Sequence, residues 1–113
     1  MSLKPPRSPW NISSIKETNM SKFLKENQQE IIDFHRKFFS RVYPHGKRVD
    51  SSNYDPIDSF NAGAQIVALN LQTADLALLI YLSKFNENGG SECGYVLKPN
   101  FMRHNAKIAK YNL

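Results

Sequence analysis

The chain has 113 residues, 41% of them hydrophobic and 12% aromatic, which suffices for one small packed domain and argues against wholesale disorder. Fifteen Lys and Arg against ten Asp and Glu give a net charge of +5, and a single cysteine, Cys93, excludes an internal disulfide framework or a zinc site of several thiolates and fits a reducing compartment. The longest apolar run, Leu76 to Leu82, has seven residues, far short of the about 20 a membrane-spanning helix needs, and nothing behind Met1 resembles a secretory signal.

Residues 1–9 read as a linker, since Pro5, Pro6 and Pro9 within five residues suit neither helix nor central strand. Trp10 to Ser14 is short, apolar and β-compatible. From Glu17 the period changes: Met20, Phe23, Leu24, Ile31, Phe34 and Phe38 recur at three- and four-residue steps, predicting an amphipathic helical region to about Phe39 with a break near Asn27 and Gln28. Arg41-Val42-Tyr43 is a candidate strand, stopped by the turn residues Pro44-His45-Gly46. Ser51 to Asp58 is polar, carries Pro56 and reads as a loop.

Asp58 or Ser59 is the candidate cap of a short helical turn ending near Gly63. Ala64 to Asn70 is mostly apolar without alternation, as in a parallel strand covered on both faces. Asp75 to Phe85 is helical and unusually apolar, Asn86 to Gly90 is a turn, and Gly94-Tyr95-Val96-Leu97 is a last short strand stopped by Pro99. The alternation predicts an α/β fold with about four parallel strands. Four parallel strands alone would leave two long open edges, so the pattern implies a piece of a larger sheet, or half of a (β/α) barrel.

Charge is unevenly spread. Residues 1–50 hold ten basic and five acidic side chains, residues 51–97 one and five, and residues 98–113 four and none. A basic first half points to an anionic partner such as nucleic acid or a phosphorylated lipid headgroup, or more plainly to a solvated helix face, because Lys22, Lys25, Arg36 and Lys37 share a helical stretch with Glu17, Glu26, Glu30 and Asp33. No basic cluster is interleaved with stacking aromatics, so nucleic acid is not an expected partner.

Dense motifs narrow the reading. Ser40-Arg41-Val42-Tyr43-Pro44 is followed by Gly46, Arg48, Asp50-Ser51-Ser52-Asn53-Tyr54 and Pro56. Further on come Asn61, Gly63, Gln65-Ile66-Val67-Ala68-Leu69-Asn70, Gln72-Thr73, Asn88-Gly89-Gly90, Cys93 to Pro99, Phe101 and Arg103. Over about residues 10–105 this resembles the Y region of eukaryotic phosphoinositide-specific phospholipase C, with residues 106–113 left as a tail. The resemblance implies the second half of a TIM-like barrel, whose first half, the X region, lies elsewhere. It further implies an intracellular signalling enzyme of lipid breakdown that hydrolyses phosphatidylinositol 4,5-bisphosphate to diacylglycerol and inositol 1,4,5-trisphosphate. In such an enzyme the inositol 2-hydroxyl attacks phosphorus and water then opens the cyclic phosphate. The acid–base histidines and the calcium ion belong to the X region, so this half would be inactive alone.

Site residues follow from the same resemblance. Arg41 falls where the S-R-x-Y-P motif has a substrate-binding arginine, and a guanidinium fork suits phosphate oxygens; the alternative is an arginine paired with a nearby carboxylate. Tyr43 matches the tyrosine that packs on the inositol ring, the alternative being a core tyrosine. Ser14 matches the serine 27 residues before the arginine, a hydroxyl donor to phosphate. The alternative is a capping box, since Ser14-Ile15-Lys16-Glu17 has the S-x-x-E form. His35, His45 and His104 match no catalytic position and read as surface residues. Asp50, Asp55 and Asp58 do not have EF-hand spacing, and Cys93 reads as a small buried residue. The tripeptides at Asn11 and Asn19 read as coincidental glycosylation matches.

Departures are few. Ser91-Glu92 is a two-residue insertion before Cys93, Asp75 and Ser83 replace frequent glycines, and Phe60 replaces a tryptophan. The expected partners are a phosphoinositide headgroup, an X-region half barrel in cis or in trans, and a membrane surface touched peripherally from the cytoplasm. The alternative function is a noncatalytic headgroup-binding or X-half-pairing fragment.

Overall fold

In the computed structural model, which describes Lys4, Ser8, residues 10–87 and residues 93–104, alternating strands and helices build a three-stranded parallel sheet. The elements are β1 (Ser13–Lys16), α1 (Glu17–Lys37), β2 (Ser40–Tyr43), α2 (Ile57–Asn61), β3 (Ile66–Val67), α3 (Leu76–Phe85) and α4 (Asn100–Arg103). The strands lie in the order β1-β2-β3, with Ser14 opposite Arg41, Lys16 opposite Tyr43 and Arg41 opposite Ile66.

Because side chains alternate along a strand, the register divides the sheet into two unlike faces. Ile15, Val42 and Val67 point one way and are buried among Met20, Phe23, Ile31 and Ile32 of α1, with Tyr54, Ala62 and Met102 completing the core. Ser14, Lys16 and Arg41 point the other way and are exposed, Tyr43 is half-buried, and Ile66 is 38% exposed. The expectation of a strand covered on both faces therefore fails among the described residues: one face is covered by α1 and the other is open.

The predicted break in α1 is present. Asn27 has non-helical backbone angles (φ −158°, ψ 82°). Its side-chain oxygen accepts from the Glu30 N–H at 3.2 Å, and its amide donates back to the Glu30 carboxylate at 3.1 Å. Asn27-Gln28-Gln29-Glu30 thus caps the second helical segment reciprocally. Gly63, at φ +74°, closes α2 in the left-handed region that favours glycine. The start of α2 differs from expectation: neither Asp58 nor Ser59 caps it, and Asp55 accepts from the Ile57 N–H at 2.9 Å.

The sheet has three strands among the described residues, not four. The first strand begins at Ser13 rather than Trp10, and the apolar run Ala64–Asn70 contributes only Ile66–Val67. Gly94–Leu97 is not in the sheet, and contacts just beyond it tie the chain to α1 and the core. Lys98 donates to the His35 carbonyl at 2.9 Å, where the last turn of α1 leaves acceptors free. Met102 enters the core. At Gly94 a side chain would meet the Phe85 ring at 2.9 Å, so glycine is required for this close approach. The turn residues 88–90 and the Ser91-Glu92 insertion lie outside the described residues, as do most of the linker and the tail from residue 105 on.

α3 is the apolar helix predicted from Asp75 to Phe85, but none of its residues is buried. Leu76 is 71% exposed and Leu79 65% exposed. Asp75 anchors it as N-cap, accepting from the Leu78 N–H at 3.0 Å. The replacement of a frequent glycine by Asp75 thus has a structural use.

Candidate functional site

The open face of the sheet gathers the three residues expected to bind substrate. Ser14 of β1 is the register partner of Arg41 of β2. The Arg41 guanidinium lies 5.4 Å from the centre of the Tyr43 ring, two residues further along the same strand. Among the described residues no carboxylate pairs with Arg41. Tyr43 is half-buried and outside the core cluster. Ser14 lies within β1, and α1 has no side-chain cap; the capping-box alternative for Ser14 is therefore overturned. Tyr43 is the last residue of β2, with Arg41 two positions before it; barrel enzymes build their sites at the C-terminal ends of their strands.

The loops that follow the strands are tied down by charge and amide networks. Glu17 takes the Arg48 fork, with Nε at 2.5 Å and Nη2 at 2.7 Å, and also accepts from the His45 N–H at 2.8 Å. Burial works to raise the Glu17 carboxyl, but the Arg48 and His45 hydrogen bonds outweigh it and hold it below the ordinary value. Arg48 also donates to the Ser52 hydroxyl at 3.1 Å and the Asn53 carbonyl at 3.0 Å. Asn53 in turn accepts from the Asn70 N–H at 2.6 Å and donates to the Asn70 carbonyl at 3.1 Å and the Asp75 carboxylate at 3.2 Å. The D-S-S-N-Y loop is thereby stitched to the loop after β3.

These positioning residues were not singled out in the sequence, because S-x-x-E reads locally as a cap while Glu17 pairs with a residue 31 positions away. Lys16 was missed too, although period-two alternation from Ser14 puts it on the same face.

The remaining candidates have other roles. His35 is buried at 2% exposure, not on the surface. Its Nδ1–H donates to the Ala62 carbonyl at 2.7 Å, and the Ser40 hydroxyl donates to Nε2 at 2.5 Å. Burial pushes its pKa down to about 4, so it is a neutral core residue. His45 uses Nδ1 to accept from the Lys47 N–H at 3.0 Å, His104 is exposed, and Cys93 is half-buried rather than buried.

The aspartates noted in the sequence make hydrogen bonds within the chain. Asp50 accepts from the Ser52 N–H, Asp55 from the Ile57 N–H and Asp58 from the Ser21 hydroxyl. No metal-holding group of three or more His, Cys, Asp or Glu exists among the described residues.

Comparison with known proteins bears on the same stretch. Residues 2–101 match the family model described as phosphatidylinositol-specific phospholipase C, Y domain. The chain is 49% identical over 94 residues to 1-phosphatidylinositol 4,5-bisphosphate phosphodiesterase delta-4 of Homo sapiens, covering 83% of this chain and 12% of that protein. It is 44% identical over 94 residues to inactive phospholipase C-like protein 1 of Mus musculus, covering 83% of this chain and 8% of that one. The crystal structure of L. pealei PLC21 superimposes with a TM-score of 0.75 at 47% identity, covering 82% of this chain and 12% of that chain. The chain thus spans about an eighth or less of the length of these relatives.

Proposed function

The chain belongs to the phosphatidylinositol-specific phospholipase C family as a Y domain, and from that premise we propose that it is the second half of a TIM-like barrel, completed by an X half in cis or in trans. The assembled enzyme hydrolyses phosphatidylinositol 4,5-bisphosphate to diacylglycerol and inositol 1,4,5-trisphosphate at the cytoplasmic surface of a membrane. The observation that carries this reading is the uncovered face of the parallel sheet, where Ser14, Arg41 and Tyr43 stand together. Parallel sheets are normally covered on both faces, and in a closed barrel this face turns inward.

The work of this half is binding and orientation. Arg41 grips phosphate oxygens through two parallel N–H bonds, Ser14 adds one hydroxyl donor, and Tyr43 offers a flat ring to the inositol. Holding the ring fixes the 2-hydroxyl in line with the phosphorus it attacks, so the bond to the diacylglycerol oxygen breaks and a cyclic phosphate forms. Water then opens that ring. The proton transfers and the calcium ion of this scheme are assigned to the X half, as the family resemblance implies.

The test is complementation. The chain mixed with a purified X half should release inositol trisphosphate from phosphatidylinositol 4,5-bisphosphate vesicles, while neither half does so alone. No release from the mixture, with association of the halves demonstrated, would end this reading.

A further inference from the structure

We infer that Lys16 is a second cation of the headgroup site and selects headgroups with ring phosphates beyond the one gripped by Arg41; the inference rests on the open face being the headgroup site. Lys16 is the last residue of β1 and the register partner of Tyr43, exposed on the same face as Ser14 and Arg41. Strand spacing and rise put the Cα atoms of Lys16 and Arg41 about 8 Å apart, so their long side chains can converge on one phosphorylated ring.

No carboxylate among the described residues pairs with either cation. Glu17, the neighbour of Lys16, is buried and taken by Arg48 and His45. Two cations on one face without a counter-charge among the described residues are complementary to an anion.

Local helix chemistry does not account for a lysine here. Lys16 occupies the N-cap position of α1, with extended angles (φ −67°, ψ 145°) and no side-chain cap. Ser, Thr, Asp and Asn are the favoured caps, and the positive end of the helix dipole opposes a cation. A phosphate beside Lys16 would neutralise the ammonium and face the same dipole favourably. A lysine suits this second position, because its flexible stem carries a point charge to the phosphate while Arg41 fixes orientation by its fork.

The experiment uses the intact polypeptide that carries this chain, or the chain assembled with its X half. Inositol 1,4,5-trisphosphate and inositol 1-phosphate are titrated against wild type, Lys16→Ser, Lys16→Arg and Lys25→Gln, the last removing the same charge from the exposed surface of α1. Lys16→Ser is expected to weaken the trisphosphate about tenfold more than the monophosphate. Lys16→Arg retains the preference, and Lys25→Gln alters neither ligand. Equal weakening of both ligands by Lys16→Ser, no weakening, or loss of the preference in Lys16→Arg overturns the inference. Failure of the wild type to bind either ligand, or indifference of both to Arg41→Ala, would instead sink the reading of the face itself.

Discussion

Arg41 and Tyr43 are two residues apart, so the strand itself turns both to one face, and the cation–ring approach of 5.4 Å holds the guanidinium over a flat surface. Arg41→Ala in the assembled barrel should weaken inositol trisphosphate binding by about tenfold or more. Arg41→Lys should restore part of that, since an ammonium lacks the fork; titration calorimetry reads both. His35 carries a different prediction. Its folded pKa of about 4 lies below the ordinary 6.5, so the unfolded chain binds the extra proton between those values. Stability is therefore full above about pH 6.5 and falls toward pH 4 by about 1.4 kcal/mol per pH unit. Urea unfolding midpoints across that range should show this slope, and His35→Asn, which cannot titrate, should flatten it.

At the scale of elements, the ends are set by side chains rather than by propensity. Asp75 caps α3 and receives both the backbone N–H and the side-chain amide of Asn53, at 3.1 and 3.2 Å. Asp75→Ala removes the cap and leaves the Asn53 amides short of a partner, so it should lower the urea midpoint and speed proteolytic cutting near α3 more than Asn53-remote surface changes do. Fraying of this helix would be local, since none of its residues enters the core. α1 behaves oppositely. It is anchored in the core on both sides of its kink by Met20, Phe23, Ile31 and Ile32, and the kink at Asn27 is capped rather than strained. Asn27→Ala removes the cap of the second helical segment and should cost about 1 kcal/mol; circular dichroism and melting temperature check it.

For the whole molecule, the proposed half barrel predicts that the exposed leucines of α3 and the open sheet face are covered by a partner half. Ile66, Leu71, Leu76, Leu79 and Leu97 are all exposed, more than scattered singles on a small monomer. Binding of an X half should raise the melting temperature in a concentration-dependent way, as any ligand of the folded state does. Thermal scans of the chain with increasing X half measure this directly; a flat response would contradict a half-barrel partner.

Helices α1, α2 and α3 and, with other bounds, the three strands were legible because their signals are local, whereas the four-residue α4 was not. The 3.6-residue period marks α1, the apolar run marks α3, Gly63 closes α2, and alternation makes Ser14, Arg41 and Tyr43 a face once the strands are recognised. Arg41 and Tyr43 could be named as candidates because their motif is contiguous. What the sequence could not contain was pairing across distance. The Glu17–Arg48 bridge, the Asn53–Asp75 stitch and the burial of His35 against Ala62 and Ser40 join residues whose partners are chosen by packing. The failed fourth strand has the same cause. Gly94–Leu97 has strand composition, but a strand forms only where an edge is offered, and in this chain a lysine to the end of α1 and a methionine in the core decide where that segment lies.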